Sequence, residues 1–402
     1  MNQSPPVTAL ETFDAVVVGG GPAGATAANE LAQRGRSVLL LDRGGRIKPC
    51  GGAIPPRLIR DFNIPDHLLA ARITAARMVA PSARTVDMPI DGGFVGMVER
   101  EAFDEWLRER AACSGAVRRA GRFVGLTRDV NGSAIVHVRP TGDDKSTSAA
   151  CVQARIVIGA DGAKSSVAAQ CVKGADRIPF VFAYHEIVRS PPEGFDGKRC
   201  DVYYQGRLSP DFYGWVFPHG ATASVGSGSA RKGFSLRQSV AALRQAAGLA
   251  NVETLRREGA PIPLRPLRRW DNGHDVLLAG DAAGVVAPAS GEGIYYAMEC
   301  GRFAAEAADA FLISGDARVL RTARQRFMRT HGRVFWILRI MQWFWYSSDQ
   351  RRERFVSICR DPDVQRLTWD SYMNKQLKRA NPRAHVRIFF KDLAHLLGLV
   401  SA

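Results

Sequence analysis

A chain of 402 residues, 46% hydrophobic and 23% charged, buries a full core in more than one layer and is not a disordered or fibrous polymer. Its formal charge of +16 is lopsided, because residues 321–402 hold 17 Lys/Arg against 6 Asp/Glu. The opening residues lack the basic start and apolar run of a signal peptide, and no uninterrupted apolar run reaches the roughly 18 residues of a bilayer span.

Seven scattered cysteines without metal-type spacing predict a reduced protein with neither a disulfide framework nor a metal site. At residues 13–24 an apolar run breaks into Gly19-x-Gly21-x-x-Gly24, with Pro22 and Ala23 opening a helix. This is a buried parallel strand, a tight turn and a helix start. Gly19 permits the turn, Gly21 lets backbone approach a pyrophosphate, and Gly24 lets the helix pack closely. The acid that such a site requires about 20 residues on is Asp42, at the end of the apolar run 38–41. Together they predict a dinucleotide site.

The loop that follows, 43–53, is rich in glycine and contains Cys50 and Gly51. Cys50 either faces a substrate beside the cofactor or merely packs. Residues 71–95 predict strands, and a helix begins near residue 98 with Phe103, Trp106 and Leu107 on one face. Arg100, at its start, either reaches cofactor oxygens or is a solvated surface arginine. Strands are predicted at 122–129, 133–139 and 154–160, the last running into Asp161-Gly162, a second phosphate-side signal. Residues 177–266 read as short strands without intervening helices, hence an antiparallel layer. Within it, alternation puts Tyr213, Trp215 and Phe217 on one face, as sheet core or as an aromatic wall for a long apolar ligand. A third strand, 276–279, ends in Gly280-Asp281, which places Asp281 to bond a ribityl chain. The loop 288–294 then feeds a helix whose N–H groups would stabilise negative charge on a reduced flavin ring.

In the tail, residues 334–346 are apolar nearly all round, so that helix is either buried or in lipid and is too short to span. Val386, Phe389, Phe390, Leu393, Leu396, Leu397 and Val400 recur at helical spacing opposite Arg387, Lys391 and His395. Cations flanking an apolar face predict an in-plane anchor on anionic lipid, with ordinary core helices as the alternative. The aromatics cluster in apolar runs rather than between the charges, which argues against nucleic acid.

The order GxGxxG, Asp-Gly, Gly-Asp resembles the FAD-dependent hydroxylase and reductase group. The motif Pro210-x-x-Tyr213-x-Trp215-x-Phe217-Pro218 is similar to the substrate motif of geranylgeranyl reductases, and residues 48–53 resemble the cysteine loop of that family. Residues 344–349 and 371–373 look like its chlorophyll and bacteriochlorophyll branch. The resemblance spans nearly the whole chain. It implies an α/β fold: a Rossmann-type FAD domain like that of p-hydroxybenzoate hydroxylase (1–70, 98–176 and 267–312), an antiparallel-sheet substrate domain (71–97 and 177–266) and a basic helical region (313–402).

The activity it implies is saturation of isolated double bonds in a geranylgeranyl chain, carried by a pigment or a diphosphate. FAD would contact Gly19, Gly21, Ala23, Gly24, Asp42, Arg43, Arg100, Val124 on the adenine side, Asp281, Gly293 and Ile294, with Cys50 and Gly51 beside the ring. Tyr213 and Trp215 would line the prenyl channel, and Cys50 would supply the proton. NADPH is the implied reductant, with reduced ferredoxin as the competitor. The implied location is the cytoplasmic face of a bacterial photosynthetic membrane. The competing readings are a flavin monooxygenase of the same architecture and a flavoprotein binding RNA through its tail.

Overall fold

The apolar run that opens the chain becomes strand Glu11–Val18, whose last four residues are fully buried, as a central parallel strand requires. In the computed structural model, which describes residues 10–45, 47–141, 150–191 and 193–375, this strand lies between Val38–Asp42 and Ala150–Gly159. Val117–Arg128 lies beyond the first and Val276–Leu278 beyond the second, all five parallel. Helices Pro22–Gln33 and Ile294–Ser314 pack together against this sheet. Their backbones approach so closely that a β-carbon on Gly301 would stand 2.3 Å from the Ala23 carbonyl oxygen. The long strands Val117–Arg128 and Ala150–Gly159 also pair with Ala134–Pro140 in an antiparallel meander.

The second sheet has seven strands, in the order Thr254–Pro263, Phe180–Arg189, Thr222–Ser229, Gly214–His219, Arg199–Tyr203, Ala75–Val79, Thr85–Pro89. Every pairing is antiparallel except that of Arg199–Tyr203 with Ala75–Val79. Two elements here depart from the sequence reading. Helix Leu236–Ala246, capped by Ser235, lies in a layer expected to have none. Its inward face is Ser239, Val240, Leu243 and Arg244, and Val240 and Leu243, with Ala242 beside them, pack on the Val188–Val216–Val225 cluster behind the sheet. Strand Thr254–Pro263 escaped notice because it is polar; its edge position accommodates Pro261 and Pro263. A small third sheet joins Ala53–Ile54, Val95–Val98 and Leu69–Ile73.

Helices Arg321–Trp345, Asp349–Ile358 and Pro362–Asn374 follow. Among the described residues no helix is long and apolar enough to cross a membrane. The amphipathic pattern at 386–400 lies outside the described residues.

Candidate active site

The glycine turn is built by three different constraints. Gly19 has φ +106°, and a β-carbon there would meet the Ala160 carbonyl oxygen at 2.3 Å. A β-carbon on Gly24 would stand 1.8 Å from the Gly19 oxygen, so only glycine lets the helix start this close to the turn. At Gly21, the helix N-cap, a β-carbon would meet nothing within 4 Å. That open cradle, in front of free helix N–H groups, is the shape that a pyrophosphate fills, and an FAD fits these residues. Asp42 accepts the Gly20 N–H at 2.7 Å and the Gly44 N–H at 2.9 Å, so the acid organises the turn it was expected to complete. Arg108, unnoticed in the sequence, donates to the Gly20 carbonyl at 3.3 Å.

Other expected contacts fall differently. Arg43 is exposed, and Ala23 turns its side chain toward Gly280. Val124 is 41% exposed on the strand's far half, where its carbonyl accepts from Gln170. Asp161 is not aimed at phosphate. It accepts from Ser165 and from the Ser166 and Val167 N–H groups, capping helix Ser166–Cys171.

The remaining predicted residues converge on one cavity of about 650 Å³, within the roughly 300–1,000 Å³ of small-molecule sites. Cys50, Gly51, Arg100, Asp281, Gly293 and Ile294 line one side, while Tyr213, Trp215 and Phe217 form a wall of the second sheet. The tail supplies a third side, through Val334, Ile337, Leu338, Met341 and Trp345 of one helix and Trp369 and Tyr372 of another. The helix that read as apolar all round is thus split, with one face on this cavity. The expected motif residues Ser371 and Tyr372 reach the cavity, and Tyr346 donates to the Ala289 carbonyl at 3.1 Å.

Charges in this apolar space are paired. Lys48 bridges the cysteine loop to Asp281 at 2.5 Å. Arg100 is buried, not solvated, and grips Asp104 through two bonds of 2.9 and 2.7 Å. Burial works against its charge, but Asp104 and the adjoining Cys50 outweigh it and hold the guanidinium above its ordinary pKa. Burial pushes the Tyr213 phenol up, and its O–H donates to the Ser290 carbonyl at 2.5 Å, so this ring stays neutral. Glu292 and Lys375 form a buried ion pair, with burial driving each toward its neutral form against the attraction of the other.

Several of these supports escaped sequence reasoning because their partners are distant in the chain. Trp215 donates its indole N–H to Ser224 at 3.1 Å, and Ser224 lies 2.8 Å from His185 Nδ1, whose other nitrogen stands 3.1 Å from Glu258. His219 joins Glu99 at 3.0 Å to the Gly51 carbonyl at 3.1 Å, pinning the cysteine loop. Buried Arg352 donates to the carbonyls of Ser209, Pro210 and Tyr346, stapling the tail motif to the start of the aromatic motif.

A glycine-turn cradle joined to an apolar cavity defines a flavoprotein, and the comparisons agree. Residues 12–179 match the FAD binding domain family. A solved structure described as geranylgeranyl bacteriochlorophyll reductase-like, from Thermoplasma acidophilum, superposes with a TM-score of 0.80 at 22% identity, covering 94% of this chain and all of that one. A flavin-dependent brominase superposes with a TM-score of 0.73 at 15% identity, covering 96% of this chain and 99% of the other. Those likenesses establish the p-hydroxybenzoate hydroxylase-like fold. The chain is 59% identical to the geranylgeranyl diphosphate reductase of Rhodobacter capsulatus over 96% of its own length and 98% of the relative's. It is 34% identical to that of Synechocystis, over 95% and 97%. The chain belongs to the geranylgeranyl reductase family.

Proposed function

We propose that this member of an FAD-dependent family that reduces geranylgeranyl chains acts on a pigment-bound chain in bacteriochlorophyll synthesis, with NADPH as reductant, at an anionic membrane surface. The observation that carries the reading is a single apolar space in which Cys50 and the flavin-side loops face the Tyr213–Trp215–Phe217 wall. A bound, reduced flavin would supply the hydride that one alkene carbon needs. Protonation of the neighbouring carbon leads, because a hydride added first would leave an unstabilised carbanion, and Cys50 is the thiol in the cavity that lies beside a cation, Arg100. After Cys50 gives up its proton, the thiolate left behind is paired with that guanidinium. An isolated alkene has no carbonyl to accept charge, so any cationic character rests on the aromatic wall, worth roughly 0.5–2 kcal/mol per ring in a dry site. Tyr213 is committed to Ser290 and acts through its face, not its hydroxyl.

The test is anaerobic incubation of the purified protein with NADPH and geranylgeranyl-bacteriochlorophyll, followed by mass measurement of the pigment. A gain of one hydrogen pair per saturated bond is expected, and a product formed only with oxygen would point to monooxygenation. Stopped-flow reduction of the flavin by NADPH and by reduced ferredoxin decides between donors. Cys50→Ala is expected to lower the single-turnover rate by about 10²–10⁴ with flavin still bound; an unchanged rate removes Cys50 from the reaction.

A further inference from the structure

Helix Arg321–Trp345 has two opposed apolar faces. The inner one lines the cavity through Val334, Ile337, Leu338, Met341 and Trp345. The outer one is a stripe at helical spacing: Trp336, Ile340 and Trp343 are 59%, 40% and 74% exposed. One and two turns N-terminal on the same stripe stand exposed Arg333 and Arg329, with exposed Arg339 beside it. None of the three arginines makes an ion pair or hydrogen bond with a described residue, and the helix contains six arginines and no acid.

A tryptophan pair this exposed costs solubility unless something covers it. Indole rings settle at the boundary between lipid headgroups and acyl chains, and unpaired arginines on the same surface seek phosphates. A second copy of the chain is a poor cover, since it would set one acid-free, arginine-rich helix against another. We propose that the stripe Trp336–Ile340–Trp343, with Arg329, Arg333 and Arg339, docks this helix in the interface of an anionic bilayer. One helix is then both the lipid contact and a wall of the reaction cavity. A prenyl chain leaving the bilayer would reach the aromatic wall without crossing water. The inference deepens the functional reading above and rests on its membrane-held substrate.

The experiment uses the full-length, flavin-loaded protein and vesicles of phosphatidylglycerol or of phosphatidylcholine. Wild type is expected to sediment with the anionic vesicles and to show indole quenching by brominated acyl chains. Replacing Arg329, Arg333 and Arg339 by Gln should weaken that binding about 100-fold, at about 1 kcal/mol per arginine. In the W336S/W343S protein the binding that survives high salt and the quenching should both disappear. Four results would overturn the proposal: undiminished binding by both variants, no vesicle binding by wild type, a dimer that the tryptophan variant dissolves, or RNA binding that it abolishes. Each protein is also assayed with detergent-dispersed geranylgeranyl substrate. The variants should match wild type there, whereas a wild type inactive in detergent but bound to vesicles would sink the substrate reading and leave the docking surface standing.

Discussion

The two ends of the active site are made in opposite ways. The cofactor end is written in consecutive backbone: a turn, a helix start and an acid, all within residues 19–44, where glycines matter by what they lack. The hydrocarbon end is a collection of side chains from the seven-stranded sheet, the small third sheet and the tail, held by Arg352, His185 and the Glu292–Lys375 pair. A local design is damaged by one added carbon atom, and a collected one by the loss of a staple. Substitutions at each end should therefore fail in different ways.

The largest effect is expected at the cradle. Gly21→Val has room in the empty fold, so stability should stay within about 0.5 kcal/mol, yet the purified protein should be colourless and refuse FAD. Retained flavin in that variant would mean that the pyrophosphate passes elsewhere. At the other end, Arg352→Met leaves buried carbonyls of Ser209, Pro210 and Tyr346 without their donor. A loss of about 3 kcal/mol is expected in denaturant unfolding, with flavin retained. Trp215→Leu should lower kcat about tenfold, the equivalent of about 1.4 kcal/mol of cation stabilisation, while KM moves little. A shift confined to KM would make Trp215 a packing residue.

The smallest effect is acid-dependent and belongs to the cofactor sheet. Burial would raise the Asp275 carboxyl, but Arg128, with help from Asn272, reverses this and holds it below the ordinary range. A depressed folded-state pKa gives stability that is full above the unfolded value of about 3.9 and is lost as pH falls through the folded value. Thermal unfolding of wild type and Arg128→Met should therefore differ at pH 6 and converge toward pH 3. A gap that does not shrink at all between pH 6 and pH 3 would assign the pair a role other than charge.

What was legible in the sequence follows the same division. Gly19, Gly21, Gly24 and Asp42 could be read because their spacing is fixed by one strand–turn–helix unit. Period-two alternation placed Tyr213, Trp215 and Phe217 on one face correctly, and the structure puts that face on the cavity. Arg352 and Pro210 lie 142 positions apart, and Glu292 and Lys375 lie 83 apart, so no local pattern announces either partnership. Helix 236–246 was missed because its inward face mixes polar Ser239 and Arg244 with Val240 and Leu243, leaving only two large apolar residues to mark the period. Residues 334–346 are hydrophobic on every side of the helix, a pattern that does not say which side meets protein. Only packing separates the buried Phe335 from the exposed Trp336.

Arg352 and the helices around it also set a timetable for synthesis. A ribosome finishes the glycine cradle, both large sheets and the Asp281 loop before it makes residue 316, so a chain arrested there is expected to bind flavin while its oily trough stands open on one side. Flavin bound to such arrested chains, together with their trapping by a holdase chaperone that is lost once the final three described helices emerge, would show that the cofactor site is complete before the trough is closed.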